Sequence, residues 1–112
     1  MANAIDKSVF ENLKVMTGAD FIGELIDTFL SDSVQQIAMM QSALKTRDFE
    51  GFRRAAHSLK STAASFGAGR LSSLALELEG IARANNLEVG TRLDDLQSAF
   101  EQAAEELKGL RT

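Results

Sequence analysis

The sequence has no proline and no cysteine, and a single histidine among its 112 residues. Without cysteine there is neither a disulfide framework nor a thiolate metal site, which suits a reducing compartment and makes the cytoplasm the expected location. No apolar run approaches the ~20 residues that span a bilayer, and the first residues lack a basic segment followed by an apolar one, which argues against a membrane span and against secretion. A glycine-rich phosphate loop of the Gly-x-x-x-x-Gly-Lys kind is missing, so the chain is not expected to use ATP itself, and nothing calls for a cofactor or a bound metal. Positive charge is in deficit as well. Sixteen acidic residues against twelve basic ones leave a net charge of −4, the opposite of what a nucleic-acid binder needs.

What is present is apolar and helix-forming. Hydrophobic residues make up 45% of the chain, with leucine and alanine prominent and few β-branched strings, so one all-α domain over residues 1–112 is expected, long enough to bury about two-thirds of its unfolded surface. Residues 1 to 5 are expected to fray. A short first helix from about Asp6 to Met16 has Ile5, Val9, Leu13 and Met16 as its apolar edge, and Thr17-Gly18 ends it. Asp20 reads as the cap of a long second helix reaching about Leu44. Its first half, Phe21, Ile22, Leu25, Ile26, Phe29 and Leu30, is broader in apolar surface than one bundle contact requires, which the first helix could cover or a partner could use. Asp48 caps a third helix over about residues 48–66. Gly67 and Gly69 then allow a reversal into a fourth from about Arg70 to Ala84, and Asn85-Asn86 is the next break. The last helix, about Val89 to Leu110, repeats Val89, Leu93, Leu96, Phe100, Ala103, Leu107 and Leu110 at alternating steps of four and three. Four long stripes on short connections favour an antiparallel up-down-up-down four-helix bundle, with the short N-terminal helix laid over one end or side. A methionine start and a closing helix suggest a free-standing protein, and stripes that bury one another suggest a monomer.

The third helix holds the sharpest signal. Phe49, Phe52, Ala56, Leu59, Ala63 and Phe66 form its core stripe, and His57 lies about 130° from the centre of that stripe at ~100° per residue, so it faces outward. Its neighbours one and two turns away on the same face are Arg53, Arg54, Lys60, Ser61 and Ala64. A neutral imidazole nitrogen is a good nucleophile, and these cations, with Lys60 as a point charge and Ser61 as a donor, would stabilise a phosphoryl group once it is attached. The small residues Ser61, Ala63, Ala64 and Ser65 leave room for a partner to approach.

The string from Ala55 to Ala68, with His57, Leu59, Lys60 and Gly67 in place, resembles the signature of histidine-containing phosphotransfer domains of bacterial multistep phosphorelays, His-x-Leu-Lys-Gly with a further glycine ten residues after the histidine. The first of those glycines is Ser61 here. The resemblance runs from about residue 9 to residue 83, through Gly18-Ala19-Asp20-Phe21 and on to Leu71, Leu74, Leu78 and Glu79. It implies that His57 accepts a phosphoryl group from an aspartyl phosphate on a receiver domain of a hybrid sensor kinase or response regulator and passes it to another receiver, with Lys60 stabilising the charge and Mg²⁺ belonging to the receivers. Arg53, Arg54, Ser61, Ala64 and Ser65 become candidate binding residues, and Gly67 a structural one.

Other polar residues are assigned more plainly. Glu79 stands where some members of that family carry a glutamine that reaches the histidine; a solvated surface position is expected for it, with its role left open. Asp94-Asp95 and Glu105-Glu106 read as solvated faces, and Met39 and Met40 as core and rim rather than a binding surface. A helical adaptor that binds receivers without accepting phosphate is the main rival. A dimerising kinase core fits less well, since such cores place an acid beside the histidine and a proline downstream, whereas Ser58 follows His57 and proline is absent.

Overall fold

A computed structural model describes residues 4–111, which form five helices: α1 (Lys7–Thr17), α2 (Ile22–Thr46), α3 (Phe49–Ser65), α4 (Gly69–Arg83) and α5 (Arg92–Leu110). Helices α2 to α5 pack in a closed up-down-up-down ring. The contact between α3 and α4 is the most extensive, α2 lies on the other side of α3, and α5 closes the ring between α4 and α2. The longest dimension, 41 Å, is close to the ~37 Å that the 25 residues of α2 span at 1.5 Å each, so this one helix sets the length of the molecule.

Local chemistry explains most of the helix limits. The carboxylate of Asp6 accepts the amides of Ser8 and Val9 at 3.0 and 3.4 Å, and Asp48 accepts that of Gly51 at 2.9 Å, so both satisfy amides that a helix start would otherwise leave open. At the start of α2 the expectation fails. The flanking residue is Phe21, with no side-chain cap, and Asp20 lies in the preceding turn. That helix also runs two residues past Leu44 and stops at Arg47, whose φ of 57° is left-handed. Gly69 opens α4 instead of ending α3, and Val89 is buried in the connection before α5.

The core is filled as the stripes require. Phe52, Ala56, Leu59 and Ala63 of α3 are buried, and Phe66 stacks on Phe29 of α2 with ring centres 4.7 Å apart, while Phe100 of α5 lies 6.4 Å from Phe29. Burial of one such large side chain contributes about 1.5–3 kcal/mol. Since α3 touches both neighbours along most of its length, its outward face is narrow and fixed in direction.

Helix α1 departs from its expected role. Of the residues expected to fray, 1–3 lie outside the described residues, but Ile5 is fully buried and the amides of Ala4 and Ile5 both donate to the Glu106 carboxylate, so Glu106 is a clasp and not part of a solvated face. Phe10 takes the core position, and Met16, expected on the apolar edge, is 81% exposed. The larger ring wins the buried place and turns the helix about its axis. Instead of covering the broad band on α2, α1 packs against α3, which leaves Phe21 60% exposed.

Candidate functional site

His57 leaves α3 on the face away from the core, and its side chain is 55% exposed. The nearest polar group comes from the neighbouring helix. Glu79 of α4 follows Leu78 and lies one turn from Ala75, both buried, so the packing of α4 on α3 carries its carboxylate inward; only 2% of its side chain is exposed. One carboxylate oxygen lies 2.8 Å from His57 Nδ1 and accepts from Arg83 Nη2 at 2.9 Å, while the other accepts from Lys60 Nζ at 2.8 Å. The register of the two helices is pinned beside this cluster by the Ser72 hydroxyl, which donates to the Lys60 carbonyl at 3.0 Å.

Burial pushes the Glu79 carboxyl up, but hydrogen bonds from Lys60 and His57, together with their charges, pull it further down, and it ends below its ordinary value of 4.5. The group is therefore ionised at neutral pH. An ionised carboxylate can only accept, so the hydrogen bond places a proton on Nδ1 of His57 and leaves the lone pair of the neutral ring on Nε2.

The expected ring of cations is only partly assembled. Lys60 joins the cluster through Glu79, but Arg53 is turned back one turn to Glu50, with its Nε 3.2 Å from that carboxylate, and Arg54, 70% exposed, lies 3.9 Å from the same group. A cation that the sequence reading missed, Arg83, takes their place. Its signal was the four-residue spacing from Glu79, an acid followed by a base one turn later on one helix face. Glu79 itself is the main correction. It was expected at the solvated surface, and the burial of its helix face makes it the hub of the site.

Ser61, Ala64 and Ser65 are exposed on the same side of α3 as His57. The Ser65 hydroxyl is used within the helix, donating to the Ser61 carbonyl at 3.1 Å. Beyond Ser65 a shallow groove of about 280 Å³ continues between α3 and α1, lined by Val9, Asn12, Leu13 and Met16. Gly67, buried just past the end of α3, has a φ of +80°, and its carbonyl accepts the Asp6 amide at 2.8 Å. A Cβ there would come within 2.7 Å of the Asp6 carbonyl oxygen, so the glycine lets the start of α1 lie against the end of α3. Among the described residues no three His, Cys, Asp or Glu side chains converge on a possible metal position.

Comparison with known proteins gives one consistent result. The family model described as the Hpt domain matches residues 24–111. The phosphorelay protein LuxU of Vibrio harveyi is 30% identical over 86 residues, covering 77% of this chain and 75% of LuxU. Histidine-containing phosphotransfer protein 2 of Arabidopsis thaliana is 31% identical over 96 residues; the match covers 83% of this chain but 58% of the plant protein. The crystal structure of histidine-containing phosphotransfer protein B (HptB) from Pseudomonas aeruginosa PAO1 superposes with a TM-score of 0.92 at 28% identity, covering 99% of this chain and 96% of that one.

Proposed function

The chain belongs to the Hpt domain family and has a histidine phosphotransfer function; from that premise we propose that His57 is its phosphoacceptor, taking the group from the aspartyl phosphate of one receiver domain and giving it to the aspartate of another. A family of phosphocarriers makes it a mediator of transfer rather than a kinase. The observation that carries the assignment is the state of His57: it is the one histidine of the chain, exposed, with Nδ1 held by a buried carboxylate. Its other ring nitrogen is the nucleophile.

In the first transfer the Nε2 lone pair forms an N–P bond as the P–O bond of the acyl phosphate breaks, and the receiver's aspartate leaves as a carboxylate. The second transfer is the reverse, with a new aspartate as nucleophile. This domain supplies a positioned nucleophile and positive charge, and the remaining catalysis falls to the partner's site, by positioning and charge stabilisation. Lys60, 26% exposed and one turn from His57, is the cation for the phosphoryl oxygens, and it must exchange part of its contact with Glu79 to reach them. Arg53 and Arg54 present positive charge to a partner's acidic pocket, and the short side chains of Ser61, Ala64 and Ser65 allow that pocket to close on the histidine. Apolar contact would come from the groove beside Ser65 and from Val15, Met16 and Phe21, which are 80%, 81% and 60% exposed. A relay must release one receiver before meeting the next, so this interface belongs at the small end of the usual range.

The reading takes residues 1–112 as one domain acting as a monomer in the cytoplasm. Among the described residues no helix is long and apolar enough to cross a membrane, and the helical stripes bury one another within the chain. Incubation of wild type and His57→Gln with a labelled phospho-receiver tests the assignment. Label on the wild type alone is expected; receiver binding without label on either would instead favour a non-phosphorylated adaptor.

A further inference from the structure

Glu106 stands near the end of α5, away from the transfer site, and its carboxylate accepts from two successive backbone amides much earlier in the chain. One oxygen takes the Ala4 amide at 2.6 Å and the other the Ile5 amide at 3.1 Å. The next amide, that of Asp6, donates to the Gly67 carbonyl at 2.8 Å. Three consecutive amides in a segment outside any helix are thus paired within the protein, and the two that go to a carboxylate are of the stronger, charge-assisted kind. We propose that Glu106 is a positioning residue for receiver docking: by clasping the segment before α1 it fixes α1 against α3, and so sets one wall of the groove that reaches Ser65. The proposal rests on the reading of His57 as phosphoacceptor and of that groove as docking ground.

Helix α1 has few other holds on the bundle. It packs mainly on α3, and of its own residues Phe10 alone is buried, with Leu13 partly so. Towards its end Val15 and Met16 are exposed, and the Thr17 hydroxyl is used within the helix, donating to the Leu13 carbonyl at 2.8 Å. The firm attachment is therefore at its start. There Ile5 is fully buried, Glu106 holds the amides of Ala4 and Ile5, and Gly67 holds that of Asp6. Any rotation or sliding of α1 about that end carries Val9, Asn12, Leu13 and Met16 together relative to Ser65, and these five residues line the groove. His57 is outside this series of contacts, since its ring is held by Glu79 of α4. The clasp acts on docking and leaves the nucleophile alone.

The adjacent acid shows what is particular to Glu106. Glu105 is exposed, whereas Glu106 is half-buried, one turn from Ala103 on one side and from Leu110 on the other, at the rim of the core face of α5. Glu105→Gln therefore removes the same charge from the same turn without touching the clasp. In Glu106→Gln the side chain keeps its size and one accepting oxygen, but the second backbone amide then meets an NH₂ group, a donor against a donor.

Two measurements test this. In the wild type the amides of Ala4 and Ile5 should be protected from hydrogen exchange, and in Glu106→Gln they should lose that protection together with the first turns of α1; unprotected amides in the wild type would overturn the proposal without any variant. The second is single-turnover transfer from a ³²P-labelled phospho-receiver, followed over a range of receiver concentrations. Glu106→Gln should raise the half-saturating concentration about fivefold, the scale set by one ordinary hydrogen bond. Its limiting rate should match that of the wild type, a split that a general loosening around His57 does not produce. Glu105→Gln should follow the wild type in both quantities. An unchanged half-saturating concentration in Glu106→Gln, a fall in its limiting rate, or an equal effect in Glu105→Gln would overturn the proposal. Absence of label from every chain would count against His57 as acceptor, and calorimetric titration of the same variants with the unphosphorylated receiver would still decide the role of Glu106.

Discussion

Taking a carboxylate out of water is costly unless its oxygens are paired, and Glu79 has both oxygens paired, to groups that are themselves partly exposed. Its carboxyl sits below the ordinary 4.5 in the folded chain, so the unfolded chain takes up more protons as pH falls. The stability it contributes is complete above about pH 4.5 and is lost as pH falls through the lower folded value. Thermal unfolding should show the wild type losing Tm more steeply than Glu79→Gln below about pH 5, with similar slopes above it; parallel curves would mean that the carboxylate is not paired in solution. His57, Lys60 and their outward face were legible because the α3 stripe defines a core side, and whatever lies opposite must be exposed. Glu79 was not, because its burial depends on how α4 is rotated against α3, and a lone acid at the edge of an apolar face has the same local sequence whether it is covered or not.

At the scale of an element, the junction between α3 and α1 depends on one backbone position. Gly67 is left-handed, and its missing side chain leaves room for the Asp6 carbonyl. Gly67→Ala should cost about 1–3 kcal/mol from the backbone alone. It should also raise amide exchange in α1 while exchange in α5 stays near the wild-type pattern; unchanged exchange in α1 would show that the junction tolerates a Cβ. The helices themselves were legible from spacing, and the Asp48 cap from residue type; Asp6, expected as the first residue of α1, is instead its cap. The start of α2 was misread at Asp20 because an acid before an apolar run looks like a cap, whereas the chain reaches α2 through a turn in which the Phe21 amide donates to the Gly18 carbonyl. The face of α1 was misread for a different reason. Val9 and Phe10 are adjacent, and either could lead a stripe; in the fold Phe10 is buried and Val9 only partly so.

For the whole molecule, the bundle follows from four apolar stripes and short connections, and its neighbour relations were legible to that extent. What the stripes do not specify is where α1 lies. By packing on α3 it places Met16 in the groove that reaches Ser65, on the exposed side of α3 that also carries His57, and leaves Phe21 open at the start of α2. Phe21→Ala should therefore change the unfolding free energy by less than about 0.5 kcal/mol. It should also weaken receiver binding by about 1 kcal/mol or more, roughly fivefold in Kd by titration calorimetry; unaltered affinity would move the docking surface elsewhere. The proposed transfer comes down to one bond, between phosphorus and Nε2 of His57. Transfer from a ³²P-labelled phospho-receiver, followed by digestion under alkaline conditions and peptide mapping, tests it most directly. The label should survive base, be lost in acid, and map to the α3 peptide containing His57. Label that maps to any other peptide, or that is lost in base as an acyl phosphate would be, would contradict the account.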